Sequence, residues 1–306
     1  PAGRLAAITN HLHNSVHNEK CGFFGFFDCA DDREAAAALF AAALKWLKAR
    51  GMDKARGPVN PSMNETCGLL IEGFDSPPMI MTPYNPPYYA GLIEAAGFVK
   101  VKDLYAFQVY TKNGFPERME KIVQRMTRSG KTTLELVDIK RIGEALDILK
   151  DIYNSAWEKN WGFVPMTNGE IDEMAKGLKP LLKPEYLYFA RVEGKPAGFV
   201  LLLPDFNIAL KHVNGALNPL NIIPFLYRMF SPIPRGRLLA LGVKKEFRNR
   251  GIELLLIKQA SVSSTKMGWE YGDLSWTLED NDLINNVIAA VGGKVYKKFR
   301  VYEKTI

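Results

Sequence analysis

One order of segments occurs twice along the chain, and it limits the fold more than any single motif. In the C-terminal half, 132–139 (TTLELVDI) alternates apolar and polar residues as a half-buried strand does, and Ile142, Leu146, Leu149, Tyr153 and Ala156 then recur at helical spacing. A second helix is expected over 168–178, capped by Thr167 or Asn168. YLYFARVEGKPAGFVLLLPD reads as two strands turning at Glu193-Gly194-Lys195. After a long apolar connection (206–236) come a buried strand (GRLLALGVKK), a helix ending at Gly268, a strand (LSWTL), a helix closed by Gly292-Gly293, and a last strand or hairpin. Strands that alternate with helices in this way imply an α/β chain with a mixed sheet and helices on its faces.

The N-terminal half follows the same plan with its beginning missing. Pro1-Ala2-Gly3 and the apolar strand after it mirror Pro196-Ala197-Gly198, GFFGFFDC (22–29) stands in the place of the buried strand, and AAGFVKVKDLYAFQVYTK mirrors AVGGKVYKKFRVYEK. Residues 31–50 form an Ala-rich helix, acidic at its start and basic at its end. The expectation is therefore two tandem repeats: 1–112, without its first strand and helices and read as truncated at its N-terminus; a linking helix within 113–131; and 132–306, a complete copy.

Composition narrows the function. The chain has 306 residues and a net charge of +7, with the basic surplus shared between the halves and no basic arm, which disfavours nucleic acid and leaves room for small anionic ligands. Three cysteines without a CxxC pair point away from disulfides and zinc and toward a reducing cytoplasm. No apolar run is long enough to span a membrane. His11, His13 and His17 form HxHxxxH in a segment read as a polar loop, with no Cys or carboxylate pattern beside it, so no metal is expected there. Cys67, with no base partner in view, reads as a packed residue.

The chemistry concentrates where a buried strand ends at Val243, a basic loop follows (Lys244-Lys245-Glu246-Phe247-Arg248-Asn249-Arg250) and a helix starts at Gly251. Unpaired amides, the helix dipole and two arginines make a cradle for a phosphate or pyrophosphate. Arg248-x-x-Gly251-x resembles the acyl-CoA loop of the GNAT N-acyltransferase superfamily, Arg/Gln-x-x-Gly-x-Gly/Ala, although Glu253 replaces the last small residue. The resemblance covers 132–306 as a full domain and 1–112 as a partial one, and it implies a tandem-GNAT fold. It also implies acetyl-CoA or another acyl-CoA as co-substrate, with the pantetheine arm along the strand ending at Val243. By this resemblance the cofactor-binding positions are Leu241, Val243, Arg248, Asn249, Arg250, Gly251, Ile252 and Asn281.

The tyrosine that often serves this family as general acid falls on Ile288 here, which leaves Asp273, Glu279 and Tyr296 as candidates for proton transfer. Asp28, Asp31, Asp32 and Glu34 stand at the matching place in the first repeat, where they suit capping and repel a pyrophosphate. That repeat is expected to serve as scaffold or substrate wall. Its segment 57–89, with seven prolines, is read as a long binding loop offering Asn60, Asn64, Tyr84 and Asn85, opposite Trp157 and Trp161 of the second repeat. The implied activity is transfer of an acyl group, acetyl by default, from acyl-CoA to a small-molecule or peptide amine. The alternatives are a non-catalytic tandem-GNAT binding module and an aminoacyl-transferase-like enzyme.

Overall fold

A computed structural model describes residues 1–138, 142–213, 215–216 and 218–306. The first half runs β1 (Gly3–Thr9), α1 (His11–His17), β2 (Cys21–Cys29), α2 (Arg33–Lys48), β3 (Lys54–Gly57), β4 (Val59–Asn60), β5 (Thr66–Cys67), β6 (Leu69–Glu72), α3 (Tyr89–Ala95) and β7 (Val99–Tyr110). Helix α4 (Glu117–Thr127) follows. The second half runs β8 (Thr132–Leu136), α5 (Ile142–Trp157), α6 (Asn168–Leu178), β9 (Leu187–Val192), β10 (Lys195–Pro204), α7 (Asn207–Leu210), α8 (Pro219–Phe230), β11 (Arg235–Val243), α9 (Ile252–Lys266), β12 (Tyr271–Leu278), α10 (Asp282–Ala290) and β13 (Lys294–Thr305).

Local chemistry accounts for many of these boundaries. Thr167 caps α6 in a reciprocal box with Glu170, which satisfies two amides that the first turn leaves open. The β9–β10 turn places Glu193 and Gly194 both at positive φ, the geometry that joins twisted antiparallel strands most tightly. Two expectations are corrected. The histidine segment is helix α1, because Asn10 caps it and Asn18 ends it in the left-handed region. Segment 57–89 is partly ordered as the β4–β5 hairpin and as β6. Of the last strand or hairpin expected at the C-terminus, the structure has the first, one 12-residue strand. The strand expected over 132–139 closes at Leu136, and position 139 lies outside the described residues.

The repeats share one sheet. Its strand order is β1-β2-β3-β13-β7-β12-β11-β10-β9-β8, with β6 also on β13. The last strand of each half has crossed to the other half: β13 lies against β3 and β6 of the first, and β7 lies against β12 of the second. The two exchanged strands pair with each other from Val99↔Glu303 to Gln108↔Lys294. A core of Phe23, Leu70, Leu104, Leu278, Phe299 and Val301 draws on both halves at this seam. Each such side chain, fully buried, contributes about 1.5–3 kcal/mol. The seam is therefore a main source of cohesion, and it fixes how the surfaces of the two repeats face one another.

Candidate active site

Strands β11 and β12 run parallel and part company. Their pairing covers Arg235↔Tyr271 to Leu238↔Leu274 and then stops. On the other side β11 stays paired to β10 as far as Val243, with a bulge that leaves Leu239 outside the register. Residues 239–243 thus present an edge toward β12 that no strand among the described residues covers. Trp157 of α5 lies over this edge, and a Cβ on Gly242 would come within 2.8 Å of its ring.

The edge leads into the basic loop. A 3-10 turn spans Lys245–Phe247, Asn249 sits at φ 60° and Gly251 at φ 76°. Gly251 occupies the N-cap of α9, and among the described residues no side chain caps the amides behind it. A larger residue at 251 would adopt a disfavoured backbone conformation and approach the Met126 Sδ of α4 to 3.1 Å. Arg248 donates to the Ala156 carbonyl, Lys244 pairs with Asp151, and the Arg250 guanidinium lies 5.5 Å from the centre of the Phe247 ring. The open amides and the cations of this loop suit a diphosphate, against the opposing charges of Glu246 within the loop and Glu253 in the first helical turn.

The remaining positions implied by the resemblance divide. Val243 and Ile252 are core residues whose backbone alone is available, and Leu241 packs toward α4 and α9. The Asn281 side chain is engaged in capping α10. Ile288, where the family often has its tyrosine, is buried against Gly293.

Beside the point where the strands part lies a buried polar cluster. Register pairing sets Arg237 opposite Asp273, with Nε 3.7 Å from Oδ1. Ser275 and Tyr296 both donate to the Asp273 carboxylate, Tyr296 over 2.6 Å. Burial pushes Asp273 and Tyr296 up and Arg237 down, so the enclosed site opposes every charged form while Arg237 and the hydrogen bonds resist that on Asp273. Of the three proton-transfer candidates, the structure brings Asp273 and Tyr296 together. Glu279 lies apart: it accepts from Lys100 over 2.7 Å and from the Asp103 amide over 3.0 Å.

The first half roofs this cluster. Arg237 donates to the carbonyls of Ile80 and Met81, both at 2.9 Å. Asn207 donates to the Pro78 carbonyl, and Lys297 donates to Gly73 and Ser76. Asn64 crosses to the second half, donating to the Val164 carbonyl over 2.8 Å and accepting from the Tyr153 hydroxyl over 3.1 Å. Tyr153 in turn stacks with Trp157, their centroids 4.5 Å apart.

Three of the expected wall residues are corrected because their polar groups are engaged within the first half. Asn60 accepts from the Phe26 amide, Asn85 bonds both backbone groups of Leu70, and the exposed Tyr84 reaches the Phe74 carbonyl. Trp161 packs at the seam beneath Arg56. Tyr153, Arg237 and the Leu239 bulge were not expected. Arg237 was visible as a lone charge in an apolar strand, whereas Tyr153 read as one more residue of a helix's buried face.

On the α9 side, an apolar cavity of about 50 Å³ begins at the last paired residues, Leu238 and Leu274, and continues between Leu202, Ile257, Ala260 and Val291. Elsewhere, ligand atoms of His13, Glu19 and Cys21 lie within 4.8 Å of one another. Lys54 and Arg56 already neutralise Glu19, which makes the group an ion-pair network. Burial raises the thiols of Cys21 and Cys67 to about 12, so neither is a ready nucleophile. No described helix is long and apolar enough to cross a membrane.

Comparison with known proteins agrees with this fold. No family model matches the sequence. A GCN5-related N-acetyltransferase from Sphaerobacter thermophilus superposes with a TM-score of 0.58 at 12% identity, over 99% of this chain and 76% of its own. A tandem GNAT protein from the clavulanic acid biosynthesis pathway superposes with a TM-score of 0.54 at 11% identity, over 100% and 84%. These likenesses establish the fold. In sequence, the chain is 36% identical to Protein YghO of Escherichia coli over 99% of its length and 79% of that protein. It is 35% identical to the bacterial ceramide synthase of Caulobacter vibrioides over 99% and 80%. With the tandem GNAT fold and this identity along nearly its whole length, the chain belongs to the bacterial family that includes YghO and that ceramide synthase.

Proposed function

We propose that the chain is an acyl-CoA-dependent N-acyltransferase that places a long acyl group on the amine of a long-chain amino alcohol. The observation that carries this reading is the continuity of the uncovered β11 edge with the uncapped N-terminus of α9. Arg248, Arg250 and the amides following Gly251 would hold the diphosphate, and the 239–243 backbone would pair with the pantetheine arm. The thioester supplies a carbonyl open to direct attack by an amine, with a thiolate as leaving group.

The protein's own residues have three tasks in this reading. The backbone at the Leu239 bulge, outside both ladders, orients a carbonyl at the point of parting. The Asp273–Tyr296 pair takes up the amine proton, close to where the strands separate. Tyr153, Trp157 and Asn64 form the acceptor wall, apolar with one polar contact, and the first repeat completes it from above.

Two observations favour a long chain over acetyl. The cavity at Leu238 and Leu274 is mainly apolar, with Thr111, Ser261 and Ser264 among its lining, and its apolar part suits the first carbons of an alkyl chain. The Caulobacter relative is a ceramide synthase, and a ceramide is an N-acylated long-chain amino alcohol. The test is thiol release from acyl-CoAs of increasing length with a sphingoid amine, with the amide identified by mass. Turnover with long chains supports the reading, and turnover with acetyl-CoA alone overturns the chain-length assignment. Ala260→Val, which narrows the cavity without overpacking the core, is expected to shift preference toward shorter acyl groups.

A further inference from the structure

Helix α8 carries an apolar stripe that the other described residues leave uncovered. Leu220, Ile223, Tyr227 and Phe230 recur at spacings of three and four residues, and they are 84, 71, 76 and 73% exposed. Its inner side is fixed. Asn218 caps the first turn, Asn221 donates to the carbonyls of Val213 and Ala216, and the helix rests chiefly on α7 and the turn after it. Behind it a cleft of about 580 Å³ opens between Leu182, Tyr186, Phe206, Met229 and Ile233, with Lys183, Lys266 and one carboxylate, Glu185, in its lining.

The charge around the stripe has one sign along the chain. No acidic residue occurs between Asp205 and Glu246, whereas exposed Lys211 and Arg228 lie in or beside the helix. An exposed apolar face bordered by cations is the pattern of a helix that lies in the plane of a membrane surface. A second copy seated on the same face would bring these cations against their own images, in a chain that already carries +7.

We propose that α8 docks the protein onto a bilayer containing anionic phospholipid, with the stripe entering the headgroup boundary and the flanking cations meeting lipid phosphate. The test is co-sedimentation of the full chain, without acyl-CoA, with vesicles of phosphatidylcholine alone or mixed with phosphatidylglycerol. Because no turnover is measured, its outcome is separate from that of the acyl-transfer reading. Binding to the mixed vesicles is expected to be at least tenfold stronger and to weaken in high salt. Ile223→Glu with Tyr227→Glu is expected to abolish it while leaving the melting temperature unchanged, since both side chains face solvent. Three results would overturn the proposal: no binding to mixed vesicles, binding that the double variant retains, or a dimer that the double variant dissociates in place of vesicle binding.

Discussion

The molecule contains the same V-shaped gap twice, and the two gaps have opposite fates. In the second half, β11 and β12 separate after Leu238↔Leu274, and the edge beyond stays open. In the first half, β2 and β3 are also parallel and separate after Phe23↔Arg56. There β4 fills the space: the Val59 carbonyl sits where a Cβ on Gly25 would lie, and Asn60 takes the Phe26 amide at 2.6 Å. The following helices differ in the same sense. Asp32 accepts from the Glu34 and Ala35 amides at the start of α2, whereas Gly251 leaves those of α9 uncapped. A fold can thus keep its shape while a few residues decide whether the amides at a helix N-terminus stay available.

This contrast is open to direct interference. The largest effect is expected from giving the open helix the closed one's cap. Gly251→Asp sets a carboxylate beside the α9 amides, on a left-handed backbone that also disfavours any side chain, and is expected to weaken acyl-CoA binding tenfold or more, read by titration calorimetry; unchanged affinity would place the diphosphate elsewhere. Next is the double variant Arg248→Ala, Arg250→Ala. Losing charge-assisted bonds worth about 1.5–3 kcal/mol each should lower affinity clearly at low salt and less at high salt. If the loss does not depend on salt, the arginines act by packing.

The reverse change in the first half should affect stability alone. Asp32→Ala removes a cap and is expected to cost about 0.5–2 kcal/mol in denaturant unfolding, with acyl-CoA affinity preserved.

The smallest effect concerns the network under β2. Burial raises Glu19, but hydrogen bonds from Lys54, His13 and Arg56 outweigh it and hold the carboxyl at about 2, below its ordinary 4.5. Its contribution is therefore complete above pH 4.5 and is lost as pH falls toward 2. Burial lowers His13 below 6.5, so the unfolded chain takes its proton first, and stability declines as pH drops below 6.5. Melting temperature should fall with acid in both windows, and Glu19→Gln should flatten the lower one. A melting temperature that rises from pH 7 to 5 would reverse the assignment for His13.

Much of this was legible from local pattern. The repeated element order, the capped helices and the loop leading to Gly251 are written in short windows of sequence. The strand exchange was not, because β7 and β13 have similar mixed polar and apolar patterns, and either could close either half. Asp273 was visible as a candidate, but its partners were not. Arg237, Asp273 and Tyr296 lie on three strands and meet only through sheet register. Asn60 and Asn85 illustrate the limit for amides. The same side chain serves to bind a ligand or to satisfy a backbone, and only the neighbouring strand decides which.

The central claim is that one repeat holds acyl-CoA and the other is sealed. Titration of the full chain with octanoyl-CoA tests it most directly through stoichiometry. The account predicts one site per chain, lost in Gly251→Asp and kept in Asp32→Ala. Two sites per chain, no binding at all, or one site lost in Asp32→Ala but kept in Gly251→Asp would contradict it.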